Sequence, residues 1–307
     1  MTILSKQNMY HQKNLIILVL LFFTICCNAQ KPKIEVNGLT YTILSLESKT
    51  VEVSKPNNGM LYSGNIVIPA NITFKGRTFD VIGVGDNSFI NSKITSLIIS
   101  EGITYLGNSA FENSKMLRTV SLPKSLKIIK LDCFSDCLLE NLTIPNTIED
   151  MSGSITSTYI RGTLKIEDSY SSLDYLSVSA STIYIGRPPK GTFTSGIYAK
   201  HIILSSNIRS LDAWDILKAY QDSESSLYKE ADNLYTALLV MHHNNIKKYI
   251  KGERIITLEH KTLLPIKQFE KNMEDLFVHV KLRVPKHLLE DYKNHSVWGN
   301  FFDIVGF

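Results

Sequence analysis

Proline and glycine are scarce, at 9 and 16 of 307 residues. That excludes collagen-like and other Pro- or Gly-rich low-complexity chains. Charge is modest, 20% of residues against 44% hydrophobic, which excludes a mostly disordered chain. Neither sign dominates: the formal net charge is +4, too little to make an electrostatic case for nucleic acid. The apolar run at residues 15–25 is well short of the roughly 20 residues a membrane-spanning helix needs. Catalytic signatures are lacking too. There is no Gly-x-Ser-x-Gly elbow, no His-Glu-x-x-His and no phosphate-cradling glycine loop. Cysteine is limited to four residues, two of them at Cys26 and Cys27.

What is present begins with the first 29 residues. Lys6 and Lys13 precede the apolar run, and Ala29 follows with Cys27 two before it. A basic head, an apolar stretch and a small-residue exit describe a secretory signal peptide cleaved after Ala29. Its removal takes away two lysines and no acid, so the charge falls from +4 to +2. A lipid anchor on Cys26 or Cys27 is a competing reading, because an acyl chain would tether the mature chain to a membrane. Thr24-Ile25 ahead of the cysteines fits a lipidation signal poorly. Cys133 and Cys137 then remain, either as a disulfide, which an oxidising compartment permits, or as two small apolar fillers.

The middle of the chain repeats. Phe89, Phe111 and Phe134 are 22 and 23 residues apart. Ser88-Phe89-Ile90-Asn91-Ser92 leads to Leu97-Ile98-Ile99. Ala110-Phe111-Glu112-Asn113-Ser114 leads to Val120-Ser121-Leu122-Pro123, and Cys133-Phe134-Ser135-Asp136-Cys137 leads to Leu142-Thr143-Ile144-Pro145. After each strand comes another apolar residue: Ile103, Leu126 and Ile148. An apolar-x-apolar strand points two residues inward and the one between them outward. One unit cannot bury its own inner face, so units stack. The phenylalanine is predicted to fill the far side of each coil, with Asn and Ser forming the turns beside it. Earlier and later strands are expected at Ile66-Val67-Ile68, Leu164-Lys165-Ile166, Leu176-Ser177-Val178, Ile183-Tyr184-Ile185 and Ile202-Ile203-Leu204.

This pattern resembles the BspA-like group of bacterial leucine-rich repeat proteins, with its Ala-Phe-x-x-Cys/Ser…Leu-x-x-Val/Ile-x-Ile-Pro repeat. Two flanking segments are similar to the same group. Val36-Asn37-Gly38-Leu39-Thr40-Tyr41 through Ile66-Val67-Ile68-Pro69, with Gly76-Arg77-Thr78-Phe79, resembles its opening β-hairpins. Leu282-Arg283-Val284-Pro285-Lys286 through Trp298-Gly299-Asn300-Phe301 resembles its closing strand-helix cap. The resemblance implies a right-handed, β-rich leucine-rich-repeat solenoid, exported to the cell surface or beyond, with binding or adhesion roles. It also implies a bacterium of the Bacteroidetes kind.

The expected organisation is a signal peptide (1–29), an N-terminal β cap (30–85), the solenoid (86–204), a helical insertion (205–252), and a final turn with a C-terminal cap (253–307). Leu211, Trp214, Leu217 and Tyr220, then Leu227, Ala231, Leu234 and Leu238, give the insertion its helical spacing. It reads as a cover for the solenoid edge or as a partner-binding module. His242-His243 is the most noticeable titratable pair, but adjacent helical residues do not face one point. No metal and no cofactor are expected. Glu149-Asp150 and Glu167-Asp168 read as solvated turns, and Gly186-Arg187-Pro188-Pro189-Lys190 reads as a basic turn between strands.

The surface such a stack offers is the row of outward strand residues: Val67, Ile98, Ser121, Thr143, Lys165, Ser177 and Tyr184, flanked by Ser96, Thr119 and Asn141. Ser and Thr in such a row can serve only to solvate the sheet, whereas Ile98 and Tyr184 could anchor a partner. The functional expectation is a non-catalytic exported protein holding a protein or glycan partner on that face. The alternatives are a structural component of the cell envelope and, less favoured, an enzyme with a site in the insertion.

Overall fold

The computed structural model describes residues 31–151, 153–169, 178–187, 197–208, 253–266 and 274–307. The leader with Cys26 and Cys27, the insertion from residue 209 to 252 with His242-His243, and Ser177 lie outside the described residues.

The chain opens with an antiparallel meander, β1 (Lys33–Val36), β2 (Leu39–Ser45) and β3 (Thr50–Ser54). β4 (Ser63–Ile68) is followed by the hairpin of β5 (Asn71–Phe74) and β6 (Arg77–Val84). Repeating units then supply β7 (Lys93–Ile99), β8 (Tyr105–Leu106), β9 (Thr119–Ser121), β10 (Ile128–Ile129), β11 (Leu138–Leu139) and β12 (Leu142–Ile144). Longer strands follow: β13 (Thr158–Ile166), β14 (Val178–Ile185), β15 (Ile197–Leu204), β16 (Arg254–Leu258), β17 (Val280–Val284) and β18 (Asp303–Gly306). Three sheets result, ordered β1-β2-β3-β6-β8-β10, β4-β7-β9 and β11-β13-β14-β15-β16-β17-β18, and none closes into a barrel among the described residues. From β4 onward, strands of successive units pair in parallel, with only the β5–β6 hairpin running antiparallel.

The repeat core follows the spacing of the aromatics. Phe89, Phe111 and Phe134 are buried and form a column, with ring centroids 5.0 and 5.3 Å apart and nearly parallel planes. Tyr62 heads the column 4.6 Å from Phe89. Its hydroxyl accepts the Thr40 N–H at 2.8 Å and donates to the Ser54 carbonyl at 2.9 Å. Tyr62 thus joins the opening meander to the stack, a role its 27-residue distance from Phe89 concealed. Ile103, Leu126 and Ile148 close the other wall of the core, all buried.

The turns beside each phenylalanine have a conformational reason for their residue types. The positions two before and two after each ring are left-handed: Asn87 and Asn91, Ser109 and Asn113, Asp132 and Asp136, with φ between 51° and 58°. Short polar side chains that bond locally tolerate this region best among non-glycine residues. It lets the phenylalanine N–H point along the stack: Phe89, Phe111 and Phe134 donate to the Ala110, Cys133 and Ser154 carbonyls of the next unit at 2.7–2.9 Å.

A second periodic pin sits three residues after Phe111, after Phe134 and after Ile155, the buried residue that stands in the ring's place in the next unit. Ser114 Oγ donates to the Phe89 carbonyl at 2.9 Å, Cys137 Sγ to that of Phe111 at 3.2 Å and Thr158 Oγ1 to that of Phe134 at 2.8 Å. Cys137 therefore occupies a hydroxyl position. Both Cys133 and Cys137 are free and buried, and burial pushes the Cys137 thiol up to about 12. Changing Cys137 to Ser retains the donor, so the unfolding free energy measured in urea is expected to change by less than about 1 kcal/mol. Cys137→Val removes it and should cost about 1–3 kcal/mol. Equal effects of the two substitutions would show that the thiol acts only as filler.

At the far end, a helix (Glu274–His279) leads into β17, and a short 3-10 turn and helix (Leu289–Asn294) lead toward β18. Tyr292 and Trp298 are buried there, with ring centroids 5.8 Å apart and edge-on. The Leu264 backbone donates to the Tyr292 hydroxyl and accepts from Trp298 Nε1, both at 2.9 Å. After residue 253, β16, β17 and β18 continue the parallel stack begun by β15.

Candidate binding surface

Register places the outward residues side by side. Val67 lies opposite Ile98, and Ile98 opposite Ser121. Thr143 lies opposite Lys165, and Lys165 opposite Tyr184. No ladder joins β9 to β12, but the Glu140 N–H donates to the Arg118 carbonyl at 2.8 Å and holds the two segments together. Val67 and Ile98 are 56% and 50% exposed, unusual for adjacent large apolar residues on a solvated strand face. Ser121, Thr143 and Lys165 are exposed and Tyr184 is half-buried.

Tyr184 is the most constrained member of the row. Its hydroxyl donates to Asp168 Oδ1 at 3.0 Å, and the Lys165 ammonium lies over its ring at 5.9 Å. Burial, with the Asp168 carboxylate beside it, holds the phenol above its ordinary pKa. The side chain thus stays a neutral donor and a fixed flat surface. Asp168, read from sequence as a solvated turn acid, is the group that orients it.

The flanking residues divide by role. Ser96 and Thr119 lie opposite each other. Ser96 Oγ is committed to Asn65 Oδ1 at 2.8 Å, which also accepts from Thr95 Oγ1 at 2.9 Å. Asn141 is a brace within the stack: its Oδ1 accepts the Thr163 N–H at 2.8 Å. A Cβ at Gly162 would come within 2.4 Å of that oxygen, so the glycine makes room for the amide at the irregularity in β13.

Two expectations change. Val178 and the Ile183-Tyr184-Ile185 triplet, expected in separate strands, lie in one strand, β14, which pairs with β13 and places Tyr184 next to Lys165; Leu176 and Ser177 lie outside the described residues. Arg187 is not part of a basic surface: it is 1% exposed and donates through Nη1 to the Ile148 carbonyl at 2.7 Å and through Nη2 to that of Pro145 at 2.6 Å.

The row also continues beyond Tyr184, through Ile203, Thr257, Arg283 and Val305. Ile203, Thr257 and Arg283 are each the middle residue of an apolar-x-apolar triplet, the signal that located the earlier members, whereas Val305 is followed by Gly306. Thr257 is buried and the other three are partly covered. Among the described residues, no group of three or more His, Cys, Asp or Glu is placed to hold a metal ion, and no helix is long and apolar enough to cross a membrane.

Residues 66–160 match the model of the BspA type leucine rich repeat region in six copies. A search of curated proteins finds no match. Among solved structures, the chain is similar to a leucine-rich repeat protein from Bacteroides capillosus ATCC 29799. That pair is 22% identical, the match covers 42% of this chain and 99% of that one, and the TM-score is 0.33. It is also similar to a leucine rich cell surface protein from Faecalibacterium prausnitzii A2-165, at 15% identity over 58% of this chain and 72% of that one, with a TM-score of 0.34. The pneumococcal vaccine antigen PcpA matches at 14% identity over 90% of this chain and 98% of that one, with a TM-score of 0.28. The assignment rests on the repeats: residues 66–160 form a BspA type leucine rich repeat region, six copies of the unit through which the aromatic column runs.

Proposed function

We propose that this is an exported, non-catalytic binding protein that holds a protein or glycan partner on the outward strand row. The observation that carries the reading is the alignment of Val67 with Ile98 and of Lys165 with Tyr184 across successive strands of one face. The row offers exposed apolar residues toward one end and a preoriented aromatic ring toward the other, the kinds of anchor that interface cores use. The basic and apolar leader supports export, and a leucine-rich relative is described as a cell surface protein.

The test is a screen of the chain from residue 30 to 307 against immobilised extracellular matrix proteins and glycans. A saturable partner is expected. Ile98→Asp and the pair Lys165→Glu with Tyr184→Ala should each weaken it at least tenfold while the melting temperature holds. Unchanged binding by both variants would remove the strand row from the reading. Turnover of a substrate by the purified protein would overturn the non-catalytic assignment.

A further inference from the structure

A second face carries what the strand row lacks, charge of one sign gathered in one place. β1 and β10 lie at opposite ends of the first sheet, five strand spacings apart, which in a flat sheet is about 24 Å. Yet Lys31 and Lys33 at one end and Lys127 and Lys130 at the other line a single open cleft of about 790 Å³, with Lys55 between them. One cleft thus takes lining residues from both ends of the sheet. The glycines of β6 and the turn after it allow its floor. A Cβ at Gly83 would sit inside the Tyr105 ring, and one at Gly85 would come within 2.9 Å of the Glu52 carboxyl.

The acids of this cleft are used in its floor. Glu52 Oε2 accepts the Tyr105 hydroxyl at 2.6 Å, and Asp86 Oδ1 accepts the Asn108 N–H at 2.8 Å. The five lysines stand exposed at the rim. Lys127 meets Glu149 at 3.1 Å and Lys130 meets Asp86 at 3.9 Å. Both are exposed pairs of the kind that contribute little and exchange readily. The Lys130 ammonium also lies over the Tyr105 ring at 5.9 Å. In a chain whose whole formal charge is +4, five lysines around two engaged acids are a local concentration of positive potential.

We infer that this cleft binds a linear acidic polysaccharide. Ammonium groups spread around an open cleft match a ligand with repeated negative charge, not one anion. Lysines act as point charges without the planar fork that selects a single carboxylate or phosphate. The cleft offers one aromatic ring, Tyr105, which packs against Gly83 and lies under the Lys130 ammonium, so charge and not stacking holds the ligand. A single ring is too few for the successive stacking that single-stranded nucleic acid uses. This site is separate from the strand row, and neither depends on the other.

Titration of the chain from residue 30 to 307 with heparin hexasaccharide and with polygalacturonate fragments tests it, with dextran and poly-glutamate as comparisons. Saturable binding of either acidic sugar is expected at 50 mM NaCl, weakened at least tenfold at 300 mM. Which of the two binds tells whether sulfate or carboxylate supplies the charge. The triple variant Lys33→Glu, Lys127→Glu, Lys130→Glu should lose at least tenfold in affinity, and the neutral Lys33→Gln, Lys55→Gln, Lys130→Gln should follow if reversal disturbs folding. Lys93→Glu and Lys286→Glu, outside the cleft, should leave binding unchanged. No binding at 50 mM, equal affinity for dextran or poly-glutamate, or equal losses from the outside variants would each overturn the proposal. Because the cleft variants spare the strand row, failure here leaves the proposed row untouched, and failure of the row leaves the cleft untouched.

Discussion

Phe111→Ala is expected to destabilise the protein by about 3–5 kcal/mol, the range for removing a fully buried aromatic side chain. The ring is completely buried and sits inside the column, 5.0 Å from Phe89 and 5.3 Å from Phe134. Truncation therefore removes two ring contacts as well as apolar burial. The neighbours cannot collapse into the space, because their backbones are fixed by the N–H bonds that pass from unit to unit on either side of the ring. Urea unfolding followed by far-UV dichroism measures the loss. A double-mutant cycle with Phe134→Leu should show coupling of about 0.5–1.5 kcal/mol, the size of an aromatic pair beyond its area. A loss below about 1 kcal/mol from Phe111→Ala would mean that the column does not hold the units together.

Arg187 is expected to be the next most costly side chain to lose. Its guanidinium donates to two carbonyls of the loop that follows β12, those of Pro145 and Ile148. It thereby ties residues about 40 positions apart in sequence. Burial lowers its pKa from the ordinary arginine value, with Glu167 opposing that shift. The group nevertheless keeps its charge, since arginine is not deprotonated in proteins. Hydrogen bonds to charged groups contribute about 1.5–3 kcal/mol each and are not additive, so Arg187→Met should cost about 2–4 kcal/mol. Arg187→Lys should recover only part of this, because one ammonium cannot reproduce two diverging N–H donors. Equal stability of the Met and wild-type proteins in urea would show that the bonds only balance the desolvation of the charge.

These two residues mark what sequence reading reaches. Phe111 announces itself because every unit repeats the same local problem: one ring to fill the width, two left-handed turn residues around it and an apolar-x-apolar strand after it. The row from Val67 to Tyr184 was legible for the same reason, since alternation along a strand fixes which residue points out. Arg187 was not legible. Its partners are carbonyl oxygens, which leave no trace in residue identity, and the surrounding Arg-Pro-Pro-Lys composition looks like a solvated turn. Three-residue apolar patterns do not report register, so the union of Val178 with Ile183-Tyr184-Ile185 in one strand shows only in the pairing with β13. The lysine cleft escaped notice because its members come from residues 31 to 130, brought together by strand pairing across a sheet and not by any repeat.

The periodic pins also bear on how such chains change length. Ser114 and Cys137 occupy the same place in successive units, each donating to the carbonyl of the preceding ring residue. Excising the 23 residues between Ser114 and Leu138 would join two equivalent positions, and the flanking units would meet as they already meet their neighbours. Removing a single residue would instead turn the following strand over and expose its inner face. The gene for this protein can therefore lengthen or shorten by whole units with little penalty but tolerates almost no slippage within one. The number of residues displayed on the strand row is in that sense a heritable setting, adjustable in steps of one.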